Sequence, residues 1–186
     1  SFTVSLNALG MHNVTNALAA ASIGLKLRVA PAKIAAALAG FSSASKRMEV
    51  LKTGDVTILN DTYNSNPDSV IVALKTLQSF TAAPRRIAVL GDMRELGDAS
   101  KREHTNIGAV AAGMKVDRLL TFGPFSRYTS EAFGGTAKHF ESKETLAEEL
   151  KKDLRPGDVL LVKGSRGMRM EEVVQRLTGG PTNNKD

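Results

Sequence analysis

From residue 55 onward the chain alternates between short strand-like stretches and longer stretches with a helical repeat. The runs at 55–60, 86–91, 118–122, 137–141 and 158–163 read as strands, the last being Asp-Val-Leu-Leu-Val-Lys. Between them, 67–80 places Val70, Ala73, Leu74 and Leu77 on one helical face, and 100–114 aligns Ile107, Val110, Ala111 and Met114. A short helix at 126–133, one at 143–153 and a last one at 168–178, with Met170, Val173, Val174 and Leu177, complete the series. Strands alternating with helices predict an α/β fold: a mainly parallel, Rossmann-like sheet with helices on both faces. Such sheets bind ligands beyond the carboxyl ends of their strands. The loops 61–67, 91–99, 122–126 and 163–168 are therefore the ones to inspect.

The first 45 residues follow another pattern. Phe2-Thr3-Val4-Ser5-Leu6 alternates apolar and polar, as a strand does. Gly10-Met11-His12-Asn13 then opens a helix whose Val14, Ala17, Leu18, Ala21 and Leu25 share a face. Pro31 starts a second helix, with Ile34, Leu38 and Phe41 on one side. The small, polar stretch from Phe41 to Ser45 is the expected domain boundary. Strands at 47–53 and 55–60 flank Gly54-Asp55, a hairpin signal. The expected organisation is thus a strand plus two helices in 1–45, a Rossmann-like domain in 46–178, and a disordered tail in 179–186. The chain opens at Ser1 with no initiator methionine, and it is expected to be a piece of a longer polypeptide.

Composition removes several classes of function. There is no cysteine, so disulfides, thiolate catalysis and cysteine zinc sites are excluded. The net charge is +6, but the cations are dispersed and do not interleave with the few aromatics, which argues against nucleic acid. No apolar run reaches the roughly 20 residues that span a bilayer, and no signal peptide is expected. The chain has no Gly-x-x-x-x-Gly-Lys-Ser/Thr loop, no Gly-x-Gly-x-x-Gly, no paired-histidine metal motif and no Gly-x-Ser-x-Gly elbow.

Four segments could carry chemistry. Asn13 and Asn16 lie three apart at a helix start, where they serve either as cap and solvated amide or as two amides aimed at a nucleotide. Asn60-Asp61-Thr62-Tyr63-Asn64-Ser65-Asn66-Pro67 follows a strand. Turn chemistry accounts for Asn66 and Pro67; it accounts less well for Asp61, whose carboxylate can accept from ribose hydroxyls, or for Tyr63 and Asn64. Gly91-Asp92-Met93-Arg94-Glu95-Leu96-Gly97, with Ser100 and His104 beyond, suits a tight loop and a polar site equally. Lys163-Gly164-Ser165-Arg166-Gly167-Met168-Arg169 joins the last strand to the last helix, and reads either as an anion site at a helix start or as an ordinary short loop with solvated cations.

Together these segments resemble the Mur ligases, ATP-dependent amide-bond-forming enzymes of bacterial cell-wall synthesis. Gly10-Met11-His12-Asn13-Val14-Thr15-Asn16 resembles the family's Gly-x-His-Asn-x-x-Asn helix near the end of its central ATPase domain. Arg47 and Asp61 match the arginine and aspartate that open its C-terminal domain. Asp61 to Asp68, Gly91 to Gly97 and Val162 to Met170 look most like the branch that joins D-Ala-D-Ala to UDP-N-acetylmuramoyl-tripeptide, and the likeness runs from about Leu6 to Leu177. The Asp-Asn-Pro-Arg signature of the diaminopimelate- or lysine-adding branch is missing.

The resemblance implies that ATP phosphorylates the tripeptide carboxylate and that the dipeptide amine then displaces phosphate. It implies Asn13 near adenine, Asn16 near the phosphates, Arg47 reaching toward them, Asp61 on the ribose, and Tyr63 and Asn64 near the base. Lys163, Ser165 and Arg166 are the expected dipeptide contacts, with Arg47 and Asn16 the catalytic candidates. It further implies a cytoplasmic enzyme whose phosphate loop and Mg²⁺ ligands belong to N-terminal and central domains outside this sequence, so that the chain alone is inactive. Two other readings stay open: another Mur or folylpolyglutamate-type ligase, and a non-catalytic nucleotide-binding module.

Overall fold

The computed structural model describes residues 2–41 and 45–180. The chain divides into two compact units, Ser1–Ala44 and Ser45–Asp186.

In the first unit, α1 (Met11–Lys26) and α2 (Pro31–Ala39) pack against each other. A Cβ on Gly24 would lie 2.9 Å from Ile34 Cδ1, so the missing side chain is what lets the helices approach. Ile34 is the buried residue of this pair, and α1 buries none. Leu18 is 63% exposed and Ile23 62%. The expected strand at residues 2–6 does not form. Its alternating exposure is present, but it finds no ladder partner among the described residues, and a strand is defined by that ladder.

The second unit holds a six-stranded sheet in the order β1-β2-β6-β3-β4-β5. Its strands are β1 (Glu49–Thr53), β2 (Val56–Asp61), β3 (Arg86–Gly91), β4 (Arg118–Phe122), β5 (Ala137–Phe140) and β6 (Val159–Lys163). The hairpin forms as expected: Thr53 pairs with Val56 across Gly54-Asp55, and Gly54 adopts φ 54°. β1 begins at Glu49 rather than 47, because positive φ at Lys46 (63°) and Met48 (52°) breaks the extended backbone. The other five strands run parallel.

Chain direction sets which face each helix covers. From β2 to β5 the strands step one way across the sheet, through α3 (Pro67–Gln78), α4 (Ser100–Gly113) and α5 (Ser126–Phe133), which contact one another in series. From β5 to β6 the chain steps back. A right-handed crossover then places α6 (Lys143–Asp153) on the opposite face, where it packs with α7 (Glu171–Thr178). The strand order therefore reverses beside β6, and the loops after β2, β6 and β3 meet at that point.

Strands covered on both faces are apolar through their central residues: Ile58, Leu59, Ile87, Ala88, Val89, Leu119, Leu120, Leu160, Leu161 and Val162 are all fully buried. α3 begins as expected, with Pro67 at its first turn and Asn66 forming a reciprocal capping box with Ser69. α7 departs from expectation. A 3₁₀ turn occupies Arg166–Met168, Arg169 is left-handed (φ 51°), and the α-helix starts only at Glu171. Gly179 caps α7 in the left-handed conformation. The rest of the expected disordered tail, 181–186, lies outside the described residues, as do 42–44 of the expected boundary.

At the amino edge of the sheet, Arg85 binds both Asp158 (2.6 Å) and Asp153 (3.2 Å), and Arg118 pairs with Asp153 and Glu149. Burial works to raise the Asp153 pKa, but hydrogen bonds from Arg118 and Arg85 outweigh it and hold the carboxyl below its usual range. A carboxyl depressed in the folded state stabilises the protein above its unfolded pKa and loses that contribution as pH falls through the folded value. The urea midpoint is therefore expected to drop as pH is lowered through the carboxylate range, and Asp153→Asn is expected to flatten that dependence.

Candidate functional site

The site is built on strand register. Asp61 ends β2 and pairs across the sheet with Lys163, which ends β6. Adjacent parallel strands point paired side chains the same way, so the ammonium meets the carboxylate: Lys163 Nζ lies 2.6 Å from Asp61 Oδ2. The same ammonium donates to the Asn64 carbonyl at 2.8 Å. Lys163 is buried, its side chain only 3% exposed, and that of Asp61 is 16% exposed. The other Asp61 oxygen, Oδ1, accepts the Met48 N–H at 3.0 Å.

That bond draws the 45–48 turn onto the end of β2, where Tyr63 N–H also donates to the Lys46 carbonyl. Arg47 is thereby laid over the Tyr63 ring, its guanidinium carbon 3.9 Å from the centroid. Arg166 reaches the same ring from the β6 loop, at 5.4 Å. A hydrogen bond from Arg47, the Arg47 charge and then the Arg166 charge hold the Tyr63 phenol below its ordinary pKa. Arg47, Tyr63, Asn64 and Arg166 are all exposed. The surface offered at the carboxyl edge is thus two guanidiniums and an aromatic face over a buried ion pair, a combination that suits a planar, polyanionic ligand.

Ser165 lies beneath this surface, 4% exposed. Its hydroxyl donates to the Ser65 carbonyl at 3.2 Å and accepts the Arg94 N–H at 2.8 Å, joining the loops after β2, β6 and β3. Asp92 is a joint of the same kind. It is buried and accepts from Phe125 N–H, Ser126 N–H and the Ser126 hydroxyl, which pins the β4–α5 loop. Gly123 has φ 117°, and a Cβ there would stand 2.6 Å from the Asp92 carboxylate. His104 Nε2 accepts the Met93 N–H, so its proton is on Nδ1, donating to the Ser100 carbonyl. The loop at 91–99 is accordingly held by these bonds, and Arg94 within it is exposed.

In the first unit, Asn13 Nδ2 donates to the Leu9 carbonyl at 2.7 Å, and Gly10 rather than Asn13 caps α1. Asn16 is exposed. Both amides line one largely apolar cavity of about 180 Å³, together with Leu6, Ala17, Leu38 and Phe41.

The structure therefore gathers Arg47, Asp61, Tyr63, Asn64, Lys163 and Arg166 at one edge, with Ser165 supporting them, while Asn13 and Asn16 sit in the other unit. Two features expected of the β6 loop change. Lys163 and Ser165 are internal and already bonded, so Arg166 alone of the three faces solvent. The loop also does not run straight into a helix: the N-terminus of α7 is displaced to Glu171, whose own first-turn acids, Glu171 and Glu172, satisfy the positive end of the helix dipole. Sequence reasoning missed Met48 and Lys46, whose backbone groups fix the turn that carries Arg47. Among the described residues no group of three or more His, Asp or Glu side chains is placed to hold a metal ion.

Comparison with known proteins agrees with this architecture. Residues 46–166 match the family described as "Mur ligase, glutamate ligase domain". The UDP-N-acetylmuramoyl-tripeptide–D-alanyl-D-alanine ligase of Bacillus subtilis is 37% identical over 182 residues, covering 93% of this chain and 39% of its own length. The crystal structure of MurF from Acinetobacter baumannii superposes with a TM-score of 0.84 at 29% identity, over 95% of this chain and 39% of that one. MurF ligase from Thermotoga maritima in complex with ADP gives a TM-score of 0.82 at 26% identity, over 96% and 40%. The chain thus spans about two fifths of the length of the proteins it matches. With its sheet order and more than half of its length inside the family's match, the chain belongs to the Mur ligase family.

Proposed function

We propose that this chain is the C-terminal part of an ATP-dependent ligase that joins D-Ala-D-Ala to UDP-N-acetylmuramoyl-tripeptide in peptidoglycan synthesis. The observation that carries the nucleotide half of this reading is the pair of exposed guanidiniums on Tyr63, at the point where strand order reverses. The identity of the dipeptide rests on the similar ligases named above, and the ADP complex of the similar Thermotoga maritima enzyme supports ATP as the nucleotide.

In the proposed reaction, a carboxylate oxygen of the tripeptide takes the γ-phosphoryl group of ATP, and ADP departs with the bonding pair of the broken phosphorus–oxygen bond. The dipeptide amine then attacks the carbonyl carbon, loses a proton, and phosphate departs with the carbon–oxygen bonding pair. Arg47 and Arg166 offset phosphate charge, and Tyr63 and Asn64 take the base side. Asp61 offers the ribose the acceptor positions that Met48 and Lys163 leave open. Asn13 and Asn16 are the nucleotide contacts proposed for the first unit. Lys163 and Ser165, internal as they are, hold the loops that present Arg166.

A full-length enzyme carrying this sequence is expected to release phosphate only when ATP, the UDP-linked tripeptide and D-Ala-D-Ala are all present. Faster turnover with glutamate or a diamino acid would assign it to another branch. The 186-residue chain alone is expected to show no turnover, since it has no phosphate-gripping Gly-x-x-x-x-Gly-Lys-Ser/Thr loop. Turnover by the chain alone would overturn this reading of its role.

A further inference from the structure

The turn that presents Arg47 is bent against the preference of its residues. Lys46 (φ 63°) and Met48 (φ 52°) flank Arg47, and both occupy the left-handed region that L side chains disfavour. Such backbone persists where its surroundings over-determine it. Three bonds hold the Lys46 end: its carbonyl accepts from Tyr63 N–H, its N–H donates to Glu49 Oε2 at 3.3 Å, and its ammonium meets Glu171 at 3.0 Å. On the other side of Arg47, the Met48 N–H has a single acceptor, Asp61 Oδ1, at 3.0 Å. Asp61 is itself fixed, through Oδ2, by the buried Lys163.

We propose that Asp61 is a positioning residue for Arg47: by accepting the Met48 N–H while Lys163 holds its other oxygen, it locks the 46–48 turn so that Arg47 lies on Tyr63. This deepens the nucleotide reading above and rests on it only for the consequence in binding; the lock itself is a property of the free chain. It also separates Asp61 from a simple ligand role, since one acceptor position on each oxygen is already spent within the protein.

The test needs no nucleotide. Protons of the Arg47 side chain lie over an aromatic ring, so ring current shifts their NMR signals upfield. With Tyr128→Phe, Tyr63 is the sole tyrosine of the chain and its phenol can be titrated alone. Asp61→Asn removes the charge but keeps an acceptor for Met48; Asp61→Ala removes both. Loss of a neighbouring negative charge by itself lowers a phenol pKa, whereas loss of a neighbouring guanidinium raises it. The two effects therefore differ in sign.

Asp61→Ala is expected to abolish the Arg47 upfield shift and to raise the Tyr63 midpoint toward that of Arg47→Ala. Asp61→Asn is expected to retain the shift. If both variants keep the shift and lower the midpoint alike, Asp61 acts as a local charge and the proposal fails. Should Asp61→Ala not fold, Asp61→Glu keeps the charge and lengthens the reach by one methylene; it is expected to lose the shift, and its retention overturns the proposal equally. A failure of the nucleotide reading registers elsewhere, as absence of ATP binding by a chain whose Arg47 still stacks on Tyr63.

Discussion

Lys163→Met is expected to remove about 3 kcal/mol of unfolding free energy, the low end of the range for breaking a buried ion pair from one side. The low end applies because Asp61 keeps some exposure to solvent, its side chain being 16% exposed, while Lys163 is 3% exposed. Methionine replaces the aliphatic stem almost atom for atom, so little of the loss comes from packing. The loss comes from an Asp61 carboxylate left at the strand end with only the Met48 N–H, and from an Asn64 carbonyl without its donor. The double change Lys163→Met/Asp61→Leu removes the stranded charge and is expected to recover part of the stability, as apolar replacements of buried pairs do. Recovery stays partial because the N–H of buried Met48 then has no acceptor. Lys138→Met is the control. It breaks the pair with Glu149 from an exposed lysine, and is expected to cost under about 1 kcal/mol. Urea denaturation of the four chains reads all of these differences.

The contrast between those lysines marks what the sequence could convey. Strands β3 and β6 were legible because a strand covered on both faces is written as a nearly unbroken apolar run, Ile87 to Leu90 and Val159 to Val162. The hairpin was legible because Gly54-Asp55 supplies the φ that a two-residue turn requires, and α3 because Asn66 and Pro67 state its first turn. The Phe2–Leu6 alternation misled for the opposite reason. Period-two patterning records which side chains face inward, but not whether a neighbouring strand completes the ladder. The start of α7 misled because Arg169 carries no mark of its left-handed backbone, where glycine would have announced it.

The same limit runs through the site. Arg47, Asp61, Tyr63, Asn64 and Arg166 stood out as polar groups at strand ends, and they do meet. Asp61 and Lys163 are 102 positions apart, however, and only the β2–β6 register joins them. Without that register Lys163 reads as one more loop cation offered to a substrate; with it, the residue is an internal counter-ion. The bend at Lys46 and Met48 was equally hidden, since ordinary residues there give no sign of positive φ. Sequence therefore disclosed the chemical inventory of this edge better than the division between groups that face a ligand and groups that hold them in place.

That division sets the second large effect. Arg47 and Arg166 are the exposed guanidiniums over Tyr63, and replacing both with alanine is expected to weaken ATP binding about a hundredfold, roughly tenfold for each guanidinium–phosphate hydrogen bond removed. The two should be close to additive in ΔG, because they approach Tyr63 from different loops, the 45–48 turn and the loop after β6. Fold stability is expected to change little, since neither guanidinium is buried. Binding to the unaltered chain should weaken as salt is raised, and the double variant should lose most of that dependence. Arg176→Ala removes a cation of α7 that pairs with Glu144, away from Tyr63, and is expected to leave ATP affinity unchanged. Calorimetric titration of ATP at low and moderate salt separates the outcomes. If the double variant binds as the unaltered chain does, or if Arg176→Ala weakens binding equally, phosphate is attracted by net charge alone and the Tyr63 edge is not its site.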